Sequence, residues 1–197
     1  MELFRQKFDA LEARRENQKF ISQEINLHFS ERFIYDLITQ PAALSVVSEL
    51  LGSEDVVLLA SAIFSKYAPA PGQTSSNYSG DFVGWHQDLR YWGLDSLVPG
   101  RPVQIVNMWL AVDMVSQLFI SFLVRKMFVE ADESNGAMQF LRGSHTCGYF
   151  DHVQSSREGN VLNENQDMVI PDSFKDKIVQ SRLLPGQASF HDGESLN

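Results

Sequence analysis

A chain of 197 residues with 44% hydrophobic and 21% charged side chains is long enough to bury a sizeable core, and it is expected to form a single domain over residues 1–197. A net charge of -9 and a pI near 4.9 argue against nucleic acid as a partner, because phosphate tracking needs clustered Lys and Arg. Cys147 is the only cysteine, which excludes an internal disulfide and a multi-cysteine zinc site and fits a reducing compartment.

The opening MELFRQKFDALEARRENQ alternates charged and apolar residues, where a secretory signal needs an unbroken apolar run. The spacing of Leu3, Phe4, Phe8 and Leu11 predicts a helix with these residues near one stripe. ERFIYDLIT and PAALSVVSELLG follow with helical spacing, Pro41 suiting a first turn and Gly52 a C-terminal cap. From Val56 the texture changes to short β-prone runs bounded by Gly, Pro, Asn and Ser: VVLLASAIFSKYA, FVGWHQD, PVQIVNMWLAV, GAMQFLRG and GQASFHD. Helices first and then many short strands predict an α+β domain whose sheet part is a jelly-roll barrel with the N-terminal helices packed on it.

Two polar stretches read as surface loops. APAPGQTSSNYSGD precedes the WHQD strand and would rim a pocket, and the stretch from about Gly148 to Asp172 would form a lid. The most apolar run, LFISFLV at residues 118–124, is far short of the roughly 20 residues that span a bilayer. The final SLN is not a peroxisomal address. The expectation is a cytoplasmic protein with neither signal peptide nor membrane segment.

The chemistry concentrates in GWHQDLRYWG. Side chains two apart on a strand share a face, so His86 and Asp88 would project into one cavity as half of a metal site. A core histidine bonded to a neighbouring carboxylate remains the other reading of the same pair. His145 reads as a turn residue, Lys66 as a solvated lysine, and His28 and His152 have no motif around them.

The order GWHQDLRYWG, NMWLAVD, ESNGAMQFLRGSH, LLPGQASFHDG resembles the phytanoyl-CoA dioxygenase family of Fe(II)- and 2-oxoglutarate-dependent oxygenases. The likeness covers most of the chain from about Val56 onward; Arg142 stands where a proline is common. It implies a double-stranded β-helix of the jelly-roll, cupin-like kind, holding Fe(II) on a facial triad of two histidines and one carboxylate. His86 and Asp88 fall on the first two ligands. The open face would take 2-oxoglutarate and O2, whose reaction yields the oxidant for an unactivated C–H bond in a small organic molecule or acyl thioester. Trp109 matches an aromatic placed beside the co-substrate, Asn107 would share its face, and Trp92 would wall the same cavity. Core packing is the competing account of both tryptophans.

Two departures accompany the likeness. Counting along the motif puts Asn197 where the third ligand, a histidine, is expected, and the 2-oxoglutarate arginine would follow it. The chain as written therefore reads as truncated, with its last strands missing, and is expected not to turn over. His191 lies six residues earlier, roughly 20 Å along an extended strand, too far to serve the same ion without a register shift. Between NMWLAVD and ESNGAMQF lies an apolar and basic insertion at about residues 115–129, expected to project from the domain. VSQ and GES can each be encoded by a splice-donor-like sequence, so both departures fit retained introns. Three functions follow: the oxygenase, a non-catalytic binding module on the same barrel, and a cupin-like metal protein using His145 or His191 as a further ligand.

Overall fold

A computed structural model describes residues 2–14, 24–63, 83–93, 103–111, 137–154 and 166–197. The chain divides into two compact units, Met1–Ser65 and Lys66–Asn197. The loop before the WHQD segment (68–81), Lys66, and the insertion at about 115–129 lie outside the described residues.

The first unit is mostly helical. α1 (Glu2–Arg14), α2 (Arg32–Ile38) and α3 (Pro41–Leu51) stand where the periodicity predicts them. Phe4, Phe8 and Leu11 recur at a spacing of four and three, which keeps them on one face, and they pack with Leu27, Phe33, Ile34 and Ile38. Leu3 was expected on that stripe but is exposed; a turn of about 100° from Phe4 carries it off the apolar face.

Pro41 opens α3 at its first turn. Gly52 closes it with a left-handed φ of 64°, and the Gly52 and Ser53 N–H groups reach back to Glu49 O and Ser48 O, the double closure that glycine allows at a helix end. The apolar run from Val56 was expected as a strand. Among its described residues only β2 (Ala62–Ile63) forms, paired antiparallel with β1 (Glu24–Ile25). Val57, Leu58 and Leu59 are exposed; backbone pairing along the described part of the run begins at Ser61, whose O accepts from Asn26 N.

The second unit carries short antiparallel pairs. α4 (Asp88–Tyr91) is a single helical turn. β3 (Val106–Leu110) pairs with β8 (Ala188–Asp192), β4 (Gln139–Leu141) with β7 (Ile178–Gln180), and β5 (His152–Gln154) with β6 (Gln166–Met168). An isolated bridge joins Gln87 to Leu196. The four pairings are nested: each later strand on the way in pairs with an earlier one on the way out, as in one long hairpin folded upon itself. The stretch expected as a lid contains β5 and β6, and its residues 155–165 are outside the described set. Beneath the nested pairs Leu141, Met168 and Leu196 form a buried cluster with Trp85, Phe150, Ile170 and Phe174 packed around it.

Candidate metal centre

Residues 85–88 alternate between two environments. Trp85 packs on the Leu141/Met168/Leu196 cluster, and Gln87 on the same side is wholly buried. His86 and Asp88 turn the other way, with His86 Nε2 3.3 Å from Asp88 Oδ1. The expected strand does not run through Asp88: it ends at Gln87, and Asp88 begins α4. The Leu89 N–H is taken by Gly193 O at 2.9 Å, and Gln87 O and Asp88 O accept from Tyr91 N and Trp92 N, which curls the chain into a helical turn. The two side chains meet nonetheless.

Three bonds from one buried side chain hold this segment in place. Gln87 Nε2 donates to Gly148 O at 3.0 Å and to Glu194 O at 2.7 Å, and its Oε1 accepts from Phe150 N at 2.9 Å. On the backbone, His86 N donates to Asn197 O at 2.9 Å and Asn197 N to His86 O at 3.0 Å, so Asn197 lies directly opposite His86 in the ladder. Leu196, opposite Gln87, donates its N–H to Ser144 Oγ at 2.8 Å, and Ser144 is itself buried.

The electrostatics centre on Asp88. Burial works to raise its pKa, but hydrogen bonds from His191 and His86, and their charges, win and hold it well below the usual carboxylate range. Burial opposes charge on His86 as well, yet the hydrogen bond and charge of Asp88 outweigh it and raise the His86 pKa. His86 Nδ1 lies 2.9 Å from Gly84 O. A carbonyl only accepts, so Nδ1 carries a hydrogen, and Nε2 faces Asp88 Oδ1 either with its lone pair or, in the imidazolium, with a second N–H. Two lone pairs facing one another need a cation between them, either a proton or a metal. An imidazole nitrogen and a carboxylate oxygen suit a divalent iron.

Asp88 Oδ2 accepts Asn107 Nδ2 at 2.9 Å, His191 Nε2 at 3.2 Å and Asn197 Nδ2 at 3.2 Å. The sequence-based distance for His191 is thus corrected. The chain between it and Asn197 is not extended, because β8 ends at Asp192, whose Oδ1 accepts from Glu194 N and Ser195 N and turns the backbone. His86 and His191 approach different oxygens of the carboxylate. Among the described residues no group of three or more His, Cys, Asp or Glu is placed to hold a metal ion.

Residues 4–196 match the family model described as Phytanoyl-CoA dioxygenase (PhyH). The chain belongs to the phytanoyl-CoA dioxygenase family. No curated protein and no solved structure matches it. Membership in the phytanoyl-CoA dioxygenase family gives, at the level of the family, iron- and 2-oxoglutarate-dependent oxygenase chemistry and a cupin-like fold; helices and small antiparallel sheets are what this chain displays. No helix among the described residues is long and apolar enough to cross a membrane.

The remaining candidates divide. Asn107 joins the site through Asp88. Trp109, two residues on along β3 and paired with Ser189, is half-buried on the same strand face. Trp92 is 40% exposed and stands next to Tyr91, whose ring is 6.0 Å from it and 5.8 Å from His86. His145 is an exposed turn residue and Cys147 a free exposed thiol. His28 is buried against Ser61 Oγ in the first unit. Sequence reasoning passed over Gln87 and Ser144. The only signal was a polar side chain on the face that also carries Trp85, where an apolar residue would be ordinary.

Proposed function

We propose that this chain is an Fe(II)- and 2-oxoglutarate-dependent oxygenase that hydroxylates a small organic molecule or an acyl thioester, with His86 and Asp88 holding the iron. The observation that carries the reading is His86 Nε2 standing 3.3 Å from Asp88 Oδ1 in a chain of this family. The nested antiparallel pairs support a double-stranded β-helix as the enclosing barrel, since a long hairpin rolled upon itself gives a jelly roll. When bound, the iron with 2-oxoglutarate and O2 supplies the oxidising power for a C–H bond.

The protein's own share is positioning. Gly84 O fixes the His86 tautomer, Gln87 fixes the backbone between the two ligands, and Tyr91 stands edge-on to the imidazole. Asn107 holds the Asp88 carboxylate, while Trp109 and Trp92 wall the space for the co-substrate. A cytoplasmic setting and a small-molecule partner complete the reading.

A non-catalytic binding module on the same barrel is the second reading, favoured by Asn197 in the place opposite His86. Anaerobic Fe(II) titration with a succinate assay separates the two. Metal binding lost in His86→Ala and Asp88→Ala, with succinate released from 2-oxoglutarate, supports the oxygenase. Metal bound without succinate favours the module, and binding indifferent to both variants sinks the site.

A further inference from the structure

His191 and Asn107 are direct partners across β3 and β8, so their side chains leave the sheet on one face. Both end on the same atom, Asp88 Oδ2, at 3.2 Å and 2.9 Å, and Asn197 Nδ2 adds a third donor at 3.2 Å. A carboxylate oxygen offers about two lone-pair directions, so three donors saturate Oδ2. Oδ1 is left facing His86 Nε2.

The imidazole that does this is itself fixed. The His191 side chain is only 7% exposed, and Phe140 stands against it, centroids 5.0 Å apart with the rings at 62°. Its Nδ1 is buried and meets no hydrogen-bond partner among the described residues. An orphaned buried N–H is the rarer and costlier arrangement than an orphaned lone pair. Nδ1 therefore carries the lone pair and Nε2 carries the hydrogen, aimed at Asp88 Oδ2.

From this we infer that His191 is a positioning residue for the metal: its Nε2–H, with Asn107, locks the Asp88 carboxylate so that Oδ1 alone is presented beside His86 Nε2, as a one-oxygen ligand. Turning the carboxylate to offer Oδ2, or both oxygens, would break these bonds. The inference rests on the reading of His86 and Asp88 as ligands, and it gives His191 a role that is not ligation. Hydrogen-bond partners behind a ligand are worth about 10–100-fold in metal affinity.

The test uses residues 1–197 labelled with ¹⁵N-histidine, with Co(II) as the probe. In the metal-free protein, nitrogen-detected correlation spectra should show His191 as the Nε2–H tautomer, with that proton signal lost in Asp88→Ala. Anaerobic Co(II) titration should show His191→Phe weakened by about tenfold or more, and His191→Gln, whose amide N–H can reach the same oxygen, close to the parent. The two variants should melt within a degree or two of each other, so that loss of packing does not mimic the effect. An Nδ1–H tautomer, or His191→Phe binding Co(II) like the parent while His86→Ala loses it, overturns the inference. If Co(II) binding ignores His86→Ala, the ligand reading fails separately, and the tautomer and its dependence on Asp88 still decide what His191 does.

Discussion

Gln87 and Leu196 face one another in an antiparallel bridge, 109 positions apart in sequence, and neither side chain is exposed to solvent. The bridge fixes the spacing of everything around it: His86 and Asp88 flank Gln87, and Asn197 follows Leu196. Gln87→Leu would remove three hydrogen bonds to backbone groups of Gly148, Phe150 and Glu194. Buried groups left without partners cost about 1–3 kcal/mol each, and loops that relax into water recover part of that. The expected loss is about 2–4 kcal/mol in urea unfolding, with weaker Co(II) binding in parallel. Unchanged stability would mean that the amide is replaceable and the bridge alone sets the register.

Gly193 turns directly beneath the site. A Cβ there would overlap the Ile105 side chain and come within 3.1 Å of Leu89 Cβ, while Gly193 O must stay on Leu89 N. Gly193→Ala should therefore destabilise by about 1–3 kcal/mol, the range for overpacking. Ile105→Ala removes the overlapping atoms, so the double variant should lose less than the sum of the singles in a thermal-melt cycle. Additive losses would show that the turn, not the overlap, is the constraint.

The reach of sequence reading follows from what each feature depends on. Helices α1 and α2 were legible because Phe4, Phe8, Leu11 and Ile34 fall at helical spacing along their own segments, α3 because Pro41 and Gly52 bracket it, and β3 and β8 because apolar runs are bounded by breakers. β5 and β6 were hidden: HVQ and QDM are too short to carry a period, and each forms only where it finds the other. His86 and Asp88 stand two apart and meet for a local reason. His191 was placed far from Asp88 because a linear count cannot see the Asp192-centred turn that folds residues 193–197 back. Gln87 escaped notice because glutamine is ordinarily solvated, and its burial is decided by carbonyls from distant loops.

The two pKa shifts set a pH dependence with a definite sign. Asp88 is depressed, so its contribution to stability is present above about pH 3.9 and lost only as pH falls through its lowered value. His86 is raised, so its contribution is complete below about pH 6.5 and is lost as pH climbs through its raised value. The metal-free protein should thus melt lower at pH 9 than at pH 6, and His86→Gln should flatten that slope. Divalent metal takes the place of the proton on Nε2, so Co(II) binding should release protons and tighten as pH rises. Calorimetric scans with Co(II) and with chelator should diverge at high pH; parallel curves would mean that the ion does not contact His86.

Asn197 supplies the most direct test of the site. Its backbone pairs with His86 in both directions and its amide lies 3.2 Å from Asp88 Oδ2, so its side chain leaves the ladder on the side where His86 and Asp88 meet. A histidine there can offer a nitrogen lone pair where the amide now spends an N–H on the carboxylate. Asn197→His should complete a facial set of two imidazoles and one carboxylate, the arrangement that suits Fe(II). Anaerobic titration should then show Fe(II) and Co(II) bound about tenfold or more tightly than by the parent, because each added protein ligand is a further bond made without new ordering of the chain. His86→Ala in the same background should remove the gain. If Asn197→His leaves the affinity unchanged while the backbone pairing to His86 persists, residue 197 does not reach the ion, and a third ligand, if one exists, must come from elsewhere in the protein.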